Sequence, residues 1–162
     1  MVEAAVEAPE DLVKKLGGSP VFVEQVEKMN DHYQWQKRFI VITRSRFYNM
    51  KPPNFFHGWS IQREFEIDHI QGIVLRTSTS SSEEFLLKIS SSASGDYRYR
   101  ANCGENLANT LQSLRPHLRV WEVTVDLDVY HRMKKRSARA DVFVIECKNS
   151  SRSSTSRTNS KA

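Results

Sequence analysis

Short runs rich in β-branched and aromatic residues follow one another between residues 21 and 101, and short links containing proline, asparagine, glycine or serine separate them. In the runs at 21–26 and 97–101, apolar and polar or charged side chains alternate with the period of two that is typical of half-buried β-strands. Regularly spaced short strands of this kind indicate a sandwich or a partly open barrel. The pattern predicts seven strands, at residues 21–26, 35–43, 47–50, 59–67, 70–76, 84–89 and 97–101.

Two segments have helical patterns instead. Leu107, Leu111 and Leu114 recur at i, i+4 and i+7, which predicts an amphipathic helix over residues 105–114 that caps the strands. Near the N-terminus, a proline at the first turn and a glycine at the end delimit a shorter helical segment, residues 9–16.

Strand character returns after the second helix, at residues 120–130 and 140–146, with a basic turn at 132–139 between them, which predicts a hairpin-like extension. Residues 149–162 contain no large apolar side chain, so we predict that they are disordered. The predicted organisation is an acidic, partly helical segment (1–19), one folded domain (20–146) and a Ser/Arg-rich tail (147–162).

Several large side chains are predicted to be buried. On the second and third strands these are Trp35, Phe39, Val41 and Phe47, and elsewhere they are Trp59 and Trp121. In the run at 97–101, two tyrosines alternate with two arginines, which predicts that Arg98 and Arg100 lie on the solvent side.

The composition excludes several classes of protein. The 162 residues suit a single domain, and no apolar run approaches the roughly 18 residues of a membrane span. The N-terminus is acidic where a secretory signal would be basic. Two cysteines without CxxC spacing favour a reducing, intracellular setting. We therefore exclude membrane-spanning, secreted and fully disordered proteins and expect a cytoplasmic one.

Basic side chains are concentrated in two blocks. Residues 34–63 carry six basic side chains and no acidic one, and residues 132–162 carry nine basic and two acidic side chains. If the two blocks meet in the fold, they form one patch for an anionic partner, and if they do not, each is a solvated face.

Motifs that carry catalysis or cofactor binding are absent from the sequence. None of the six glycines forms GxGxxG or GxxxxGK, and the five histidines are scattered without metal-ligand spacing. Cys103 stands in a strand-to-helix link, where a lone thiol is more often structural than nucleophilic. We therefore predict no enzymatic activity, no metal and no cofactor.

One stretch resembles a known family. The run WQKRFIVIT at 35–43, followed by RSR and FY, resembles the second and third strands of pleckstrin-homology domains. The segments ITRSRFYNMKP, FEIDHIQGIVLRTSTSSSEEFLLKI and DYRYRA resemble still more the tail homology domain of class I myosins, a member of the pleckstrin-homology-like superfamily. The resemblance covers residues 20–146.

The resemblance implies a mainly β fold with one helix: a strongly bent, seven-stranded antiparallel sandwich or barrel, capped by the helix and followed by the hairpin-like extension. It also implies that basic residues on the first strands and their loop bind phosphoinositide headgroups or anionic membranes. Gln36 departs from this pattern, because the family has a basic residue there. The residues implied in lipid binding are Lys28, Lys37, Arg38, Arg46 and Lys51, and a secondary basic patch consists of Arg132, Lys134, Lys135 and Arg136.

Two functions stay open at this point. The first is recruitment to anionic or phosphoinositide-containing membranes, and the alternative is a protein-interaction scaffold on the same fold with little lipid affinity, whose partner would be cytoskeletal or signalling. Strand alternation puts Lys37 and Arg38 on opposite faces, so only one of them faces a given site. Three basic residues and no aromatic one at residues 150–161 of the tail argue against nucleic acid as a partner. The expected location is cytoplasmic, at a membrane periphery or on the cytoskeleton.

Overall fold

The computed structural model describes residues 6–76, 84–89 and 97–123. The helices and strands in this part of the chain are α1 (Glu10–Leu16), β1 (Phe22–Met29), β2 (Trp35–Ile42), β3 (Arg46–Lys51), β4 (Ser60–Glu66), β5 (Ile70–Arg76), β6 (Glu84–Ile89), β7 (Tyr97–Arg100), α2 (Gly104–Leu114) and β8 (Arg119–Val123), and a single 3-10 turn (Ile67–His69) joins β4 to β5.

The eight described strands form one hydrogen-bonded sheet in the order β4-β3-β2-β1-β7-β6-β5-β8. Neighbouring strands are antiparallel from β4 through to β5, and β1 pairs with both β2 and β7, which joins the two halves of the sheet. A helix follows the seventh strand, and the fold class predicted from the sequence, mainly β with a helix packed on a bent antiparallel sandwich, is confirmed.

The larger apolar core lies on the face of the sheet that we call the inner face. Ile40 and Ile42 contribute to it from β2, and Leu107 and Leu111 of α2 are fully buried against it. Aromatic rings run through this core: Phe47 stacks on Phe65, Phe65 on Tyr97, and Phe85 on Tyr99, with ring centroids 4.8 to 5.9 Å apart. The leucine stripe predicted for the helix is therefore the face by which α2 closes the core.

A second apolar cluster lies on the outer face of β2 and β3, beneath α1. Because side chains alternate along a strand, Val41 points away from Ile40 and Ile42 and packs instead with Leu12 of α1. The cluster is completed by Tyr48, Met50 and Trp59. Helix α1 ends where predicted, since Gly17 adopts the left-handed conformation (φ 71°) and its N–H donates to the carbonyl oxygen of Val13.

Strand β8 adds to the edge of the sheet in a way that the sequence did not indicate. It pairs with β5 in parallel, Gly72 opposite Arg119 and Val74 opposite Trp121. Glycine is required at residue 72, because a Cβ there would lie 2.1 Å from a ring carbon of Trp121. The second predicted strand of the extension, residues 140–146, and the tail lie outside the described residues.

Most of the predicted burial is confirmed, including that of Trp59, Trp121, Val41 and Phe47. The prediction for Arg98 is wrong, because its side chain is buried on the outer face, 2.7 Å from a carboxylate oxygen of Glu84. Trp35 is only half-buried, since its ring covers the arginines of β7 rather than entering the core, with Arg100 at 4.4 Å and Arg98 at 5.2 Å from the ring centroid. A buried arginine requires such partners, which residue alternation alone does not reveal.

The two ends of the sandwich differ in what covers them. At one end, Arg115 after α2 donates hydrogen bonds to the backbone oxygens of Asp68 and Ile70, and the N–H of Ile67 donates to the oxygen of Ser45 in the β2–β3 turn. At the other end, which we call the loop end, the β1–β2 loop (residues 30–34) and the β3–β4 loop (residues 52–59) emerge together, because the four strands are consecutive and antiparallel.

Candidate anion-binding site at the loop end

The β1–β2 hairpin places two basic side chains on the inner face next to the loop end. Val26 pairs with Arg38 and Lys28 pairs with Gln36 across the hairpin. Val26 and Ile40 lie in the inner core, so period-two alternation gives Lys28 and Arg38 the same face. Both side chains therefore lie on the inner face beyond the last core residues of their strands, where the sandwich opens to solvent.

The loop that joins the two strands is held by local hydrogen bonds. The side-chain oxygen of Asn30 accepts from the N–H groups of His32 and Gln34, both at 2.9 Å, and the N–H of Asn30 donates to the oxygen of Gln34. Tyr33 has a positive φ of 59°. These bonds close the turn and fix the spacing of the strands on which the basic residues lie.

Lys28 lies in a partly desolvated environment, with charged side chains of both signs nearby. Its ammonium nitrogen is 4.9 Å from the ring centroid of Tyr97 and 3.4 Å from the backbone oxygen of Met29. Burial lowers the pKa of Lys28 below its usual 10.5, the carboxylate of Asp31 opposes this shift, and the charges of Arg38 and Arg63 add to it. Three cationic side chains thus influence one another here.

Arg38 lies beside the polar edge of the aromatic core. Its guanidinium donates to the side-chain oxygen of Gln36 at 2.8 Å and to the backbone oxygen of Lys37 at 2.7 Å. The neighbouring hydroxyl of Tyr99 is fully buried with no hydrogen-bond partner among the described residues, and burial raises the pKa of this phenol, with Arg38 acting in the opposite direction. The hydrogen bond from Arg38 to Gln36 orients the guanidinium.

Arg63 is a member of this group that the sequence analysis missed. It lies on β4 opposite Asn49 of β3, and its charge contributes to the lowered pKa of Lys28. A signal was present, because Phe65 and Ile67 of the same run are core residues and alternation gives Arg63 their face.

The structure does not bring the other predicted residues into this group. Lys37 lies on the opposite face of β2, paired across the hairpin with Glu27. Arg46 lies at the far end of β3, where its Nε is 3.3 Å from a carboxylate oxygen of Glu64. Lys51 ends β3 at the loop end and lines a separate cleft with Lys15. The secondary patch, Arg132, Lys134, Lys135 and Arg136, lies outside the described residues.

Neither a metal centre nor a membrane span occurs in the described ranges. No group of three or more histidine, cysteine, aspartate or glutamate side chains there is arranged to hold a metal ion. Helices α1 and α2, seven and eleven residues long, are too short to cross a bilayer.

Comparisons with known proteins find similarity to solved structures of pleckstrin-homology domains. A Slm1-PH domain in complex with inositol 4-phosphate is 12% identical, with a TM-score of 0.46 over 61% of this chain and 97% of that one. A second Slm1-PH structure, described as demonstrating ligand binding in the non-canonical site, is 14% identical, with a TM-score of 0.44 over 59% of this chain and 96% of that one. A Slm1-PH complex with phosphoserine is 12% identical, with a TM-score of 0.43 over 60% and 94%.

No protein-family model matches the chain, and no curated protein matches it. The fold described above therefore rests on the chain's own strand order, register and packing.

Proposed function

We propose that this chain is a non-catalytic binding module that attaches to anionic, phosphoinositide-containing membranes through its loop end. The observation that supports this most directly is the convergence of Lys28, Arg38 and Arg63 on one face beside the opening of the sandwich. The association is peripheral, on the cytoplasmic side of a membrane. The proposal includes a closer relation of this chain to the tail homology domain of class I myosins than to other pleckstrin-homology-like domains, and with it an association with the cytoskeleton.

The chemistry of the site suits a compact polyanion. Burial is the largest cause of the lowered pKa of Lys28, the carboxylate of Asp31 opposes the shift, and repulsion from Arg38 and Arg63 adds to it. An inositol phosphate or an anionic headgroup would replace this repulsion with attraction, and arginine guanidinium groups offer paired donors to phosphate oxygens. Near an anionic surface each basic residue contributes about 1 kcal/mol.

Co-sedimentation of the full chain with vesicles tests this proposal. The vesicles contain neutral lipid alone, added phosphatidylserine or added phosphoinositide, at low and high salt. We expect the wild-type chain to bind the anionic vesicles in a salt-sensitive manner, and Arg38→Ala to weaken this binding by about fivefold or more. Arg44→Ala, an equal charge change in the β2–β3 turn at the opposite end, serves as the matched control and leaves binding nearly unchanged.

A wild-type chain that binds no vesicle of any composition contradicts the proposal. The alternative function, a protein-interaction scaffold, would then gain support. One observation favours that alternative: the guanidinium of Arg38 already donates to Gln36 and to the oxygen of Lys37, which leaves fewer donors for a headgroup. A scaffold is expected to retain a stoichiometric protein partner at high salt.

A further inference from the structure

The β3–β4 loop exposes two adjacent aromatic side chains. Phe55 is 94% and Phe56 82% accessible, and their rings contact each other edge to face with centroids 5.2 Å apart. Other phenylalanines in the described ranges are buried or half-buried. Large apolar side chains that are clustered and exposed in this way mark surfaces that contact another phase or another molecule.

Hydrogen bonds within the β3–β4 loop close it into a turn. The side-chain oxygen of Asn54 accepts hydrogen bonds from the N–H of Phe56 at 3.0 Å and from that of His57 at 2.8 Å. The N–H of Asn54 donates to the backbone oxygen of His57 at 2.9 Å, and two prolines precede the turn. The aromatic pair is therefore presented at the tip of a constrained loop, so little further ordering is needed when it contacts a partner.

A cleft of about 700 Å³ adjoins the aromatic tip, because its lining includes Asn54 and His57, the residues on either side of the two phenylalanines. Lys15 from the last turn of α1, Lys51 from the end of β3 and His57 from the loop contribute basic groups to its lining, and none of the lining residues is acidic. Residues 34–63, which supply β2, β3 and the loop itself, contain no aspartate or glutamate. An exposed apolar tip beside a cleft whose lining carries basic side chains and no carboxylate is complementary to a bilayer whose headgroups are anionic.

We propose that the β3–β4 loop is a membrane-inserting wedge. Phe55 and Phe56 enter the acyl-chain region of an anionic bilayer, while Lys15 and Lys51 contact headgroups at the level of the cleft. The wedge lies at the same end as Lys28, Arg38 and Arg63, so insertion and headgroup binding occur in one orientation of the domain. The inference rests on the proposed membrane attachment and adds an apolar contact to it.

The decisive experiment measures vesicle binding and insertion separately. Phe55→Ser together with Phe56→Ser is expected to weaken binding to phosphoinositide vesicles by about tenfold or more, because burial of two phenylalanine side chains in lipid is lost. Binding of a soluble inositol polyphosphate, measured by calorimetry, should stay unchanged. Both side chains are exposed, so the thermal unfolding temperature of the double variant should match that of the wild-type chain.

Insertion is read directly from Phe56→Trp in an otherwise native chain. We expect its added fluorescence to shift to shorter wavelength on vesicles and to be quenched by brominated acyl chains. Ser113→Trp, at an exposed position of α2, is the matched control and should show neither change.

The outcomes separate the wedge from the proposed function. If the wild-type chain binds no vesicle, both fail. If it binds, but the double variant binds equally well and the tryptophan at residue 56 is not quenched, the wedge alone is overturned. A double variant that changes only the self-association of the chain also overturns the wedge, in favour of a contact between copies.

Discussion

At the residue scale, the loop end changes the chemistry of Lys28. Burial, with Arg38 and Arg63 nearby, lowers its pKa below 10.5, so it loses its proton at lower pH than an exposed lysine does. The unfolded chain binds this proton more tightly than the folded one. Stability therefore rises with pH between the lowered pKa and about 10.5, while the charge available for an anion falls over the same range.

The lowered pKa of Lys28 leads to a testable pH dependence of anion binding. We expect the affinity for a soluble inositol polyphosphate, measured by calorimetry from neutral pH up to pH 10.5, to decrease as Lys28 deprotonates. Lys28→Arg keeps its charge over this range and should remove that decrease. If wild-type and Lys28→Arg chains have the same pH profile, Lys28 does not contact the ligand.

The residue scale also shows what alternation can and cannot predict. Period-two alternation predicted correctly that Lys37 and Arg38 have opposite faces, and applied to Phe65 and Ile67 it would have found Arg63. It could not predict that Arg98 is buried, because that burial depends on Glu84 from another strand and on Trp35. Contacts between residues distant in sequence leave no periodic signal.

At the scale of elements, the strands and helices agree with the prediction to within a few residues, since strong alternation and clear end signals specify them locally. Strand β8 is different. The sequence predicts a hairpin between this strand and residues 140–146, which lie outside the described residues. It does not indicate that β8 pairs with β5 in parallel, with β6, β7 and α2 between them in the chain. This pairing depends on how closely the two strands and their side chains can approach, above all on the space that Gly72 leaves for the Trp121 ring.

Gly72→Ala tests this packing. The added Cβ would lie 2.1 Å from the Trp121 ring and 2.8 Å from the backbone oxygen of Arg119, and displacement of the strand or the ring should lower the free energy of unfolding by about 1–3 kcal/mol. Gly18→Ala is the control, because no atom lies within 4 Å of its added Cβ. Urea denaturation of the two variants measures the difference, and equal stabilities would show that β8 does not pack against β5 in solution.

At the scale of the whole molecule, the two ends of the sandwich have different roles. At the end that contains the β2–β3 turn, hydrogen bonds from Arg115 and the 3-10 turn close the sandwich. The loop end instead carries Lys28, Arg38 and the exposed pair of phenylalanines. The sequence predicted a basic block at 34–63 but not its distribution in space, because Arg44 and Arg46 lie at the β2–β3 turn, opposite the loop end. Only the antiparallel order of four strands shows which basic residues share an end.

The orientation of the domain on a membrane is the central claim, and hydrogen exchange of the full chain with and without phosphoinositide vesicles tests it most directly. We predict slower exchange of the backbone amides at residues 30–34 and 54–59 on vesicles, with no change in the β2–β3 turn at 43–46. Slower exchange confined to the β2–β3 turn, or no change at either end despite vesicle binding, would contradict the account.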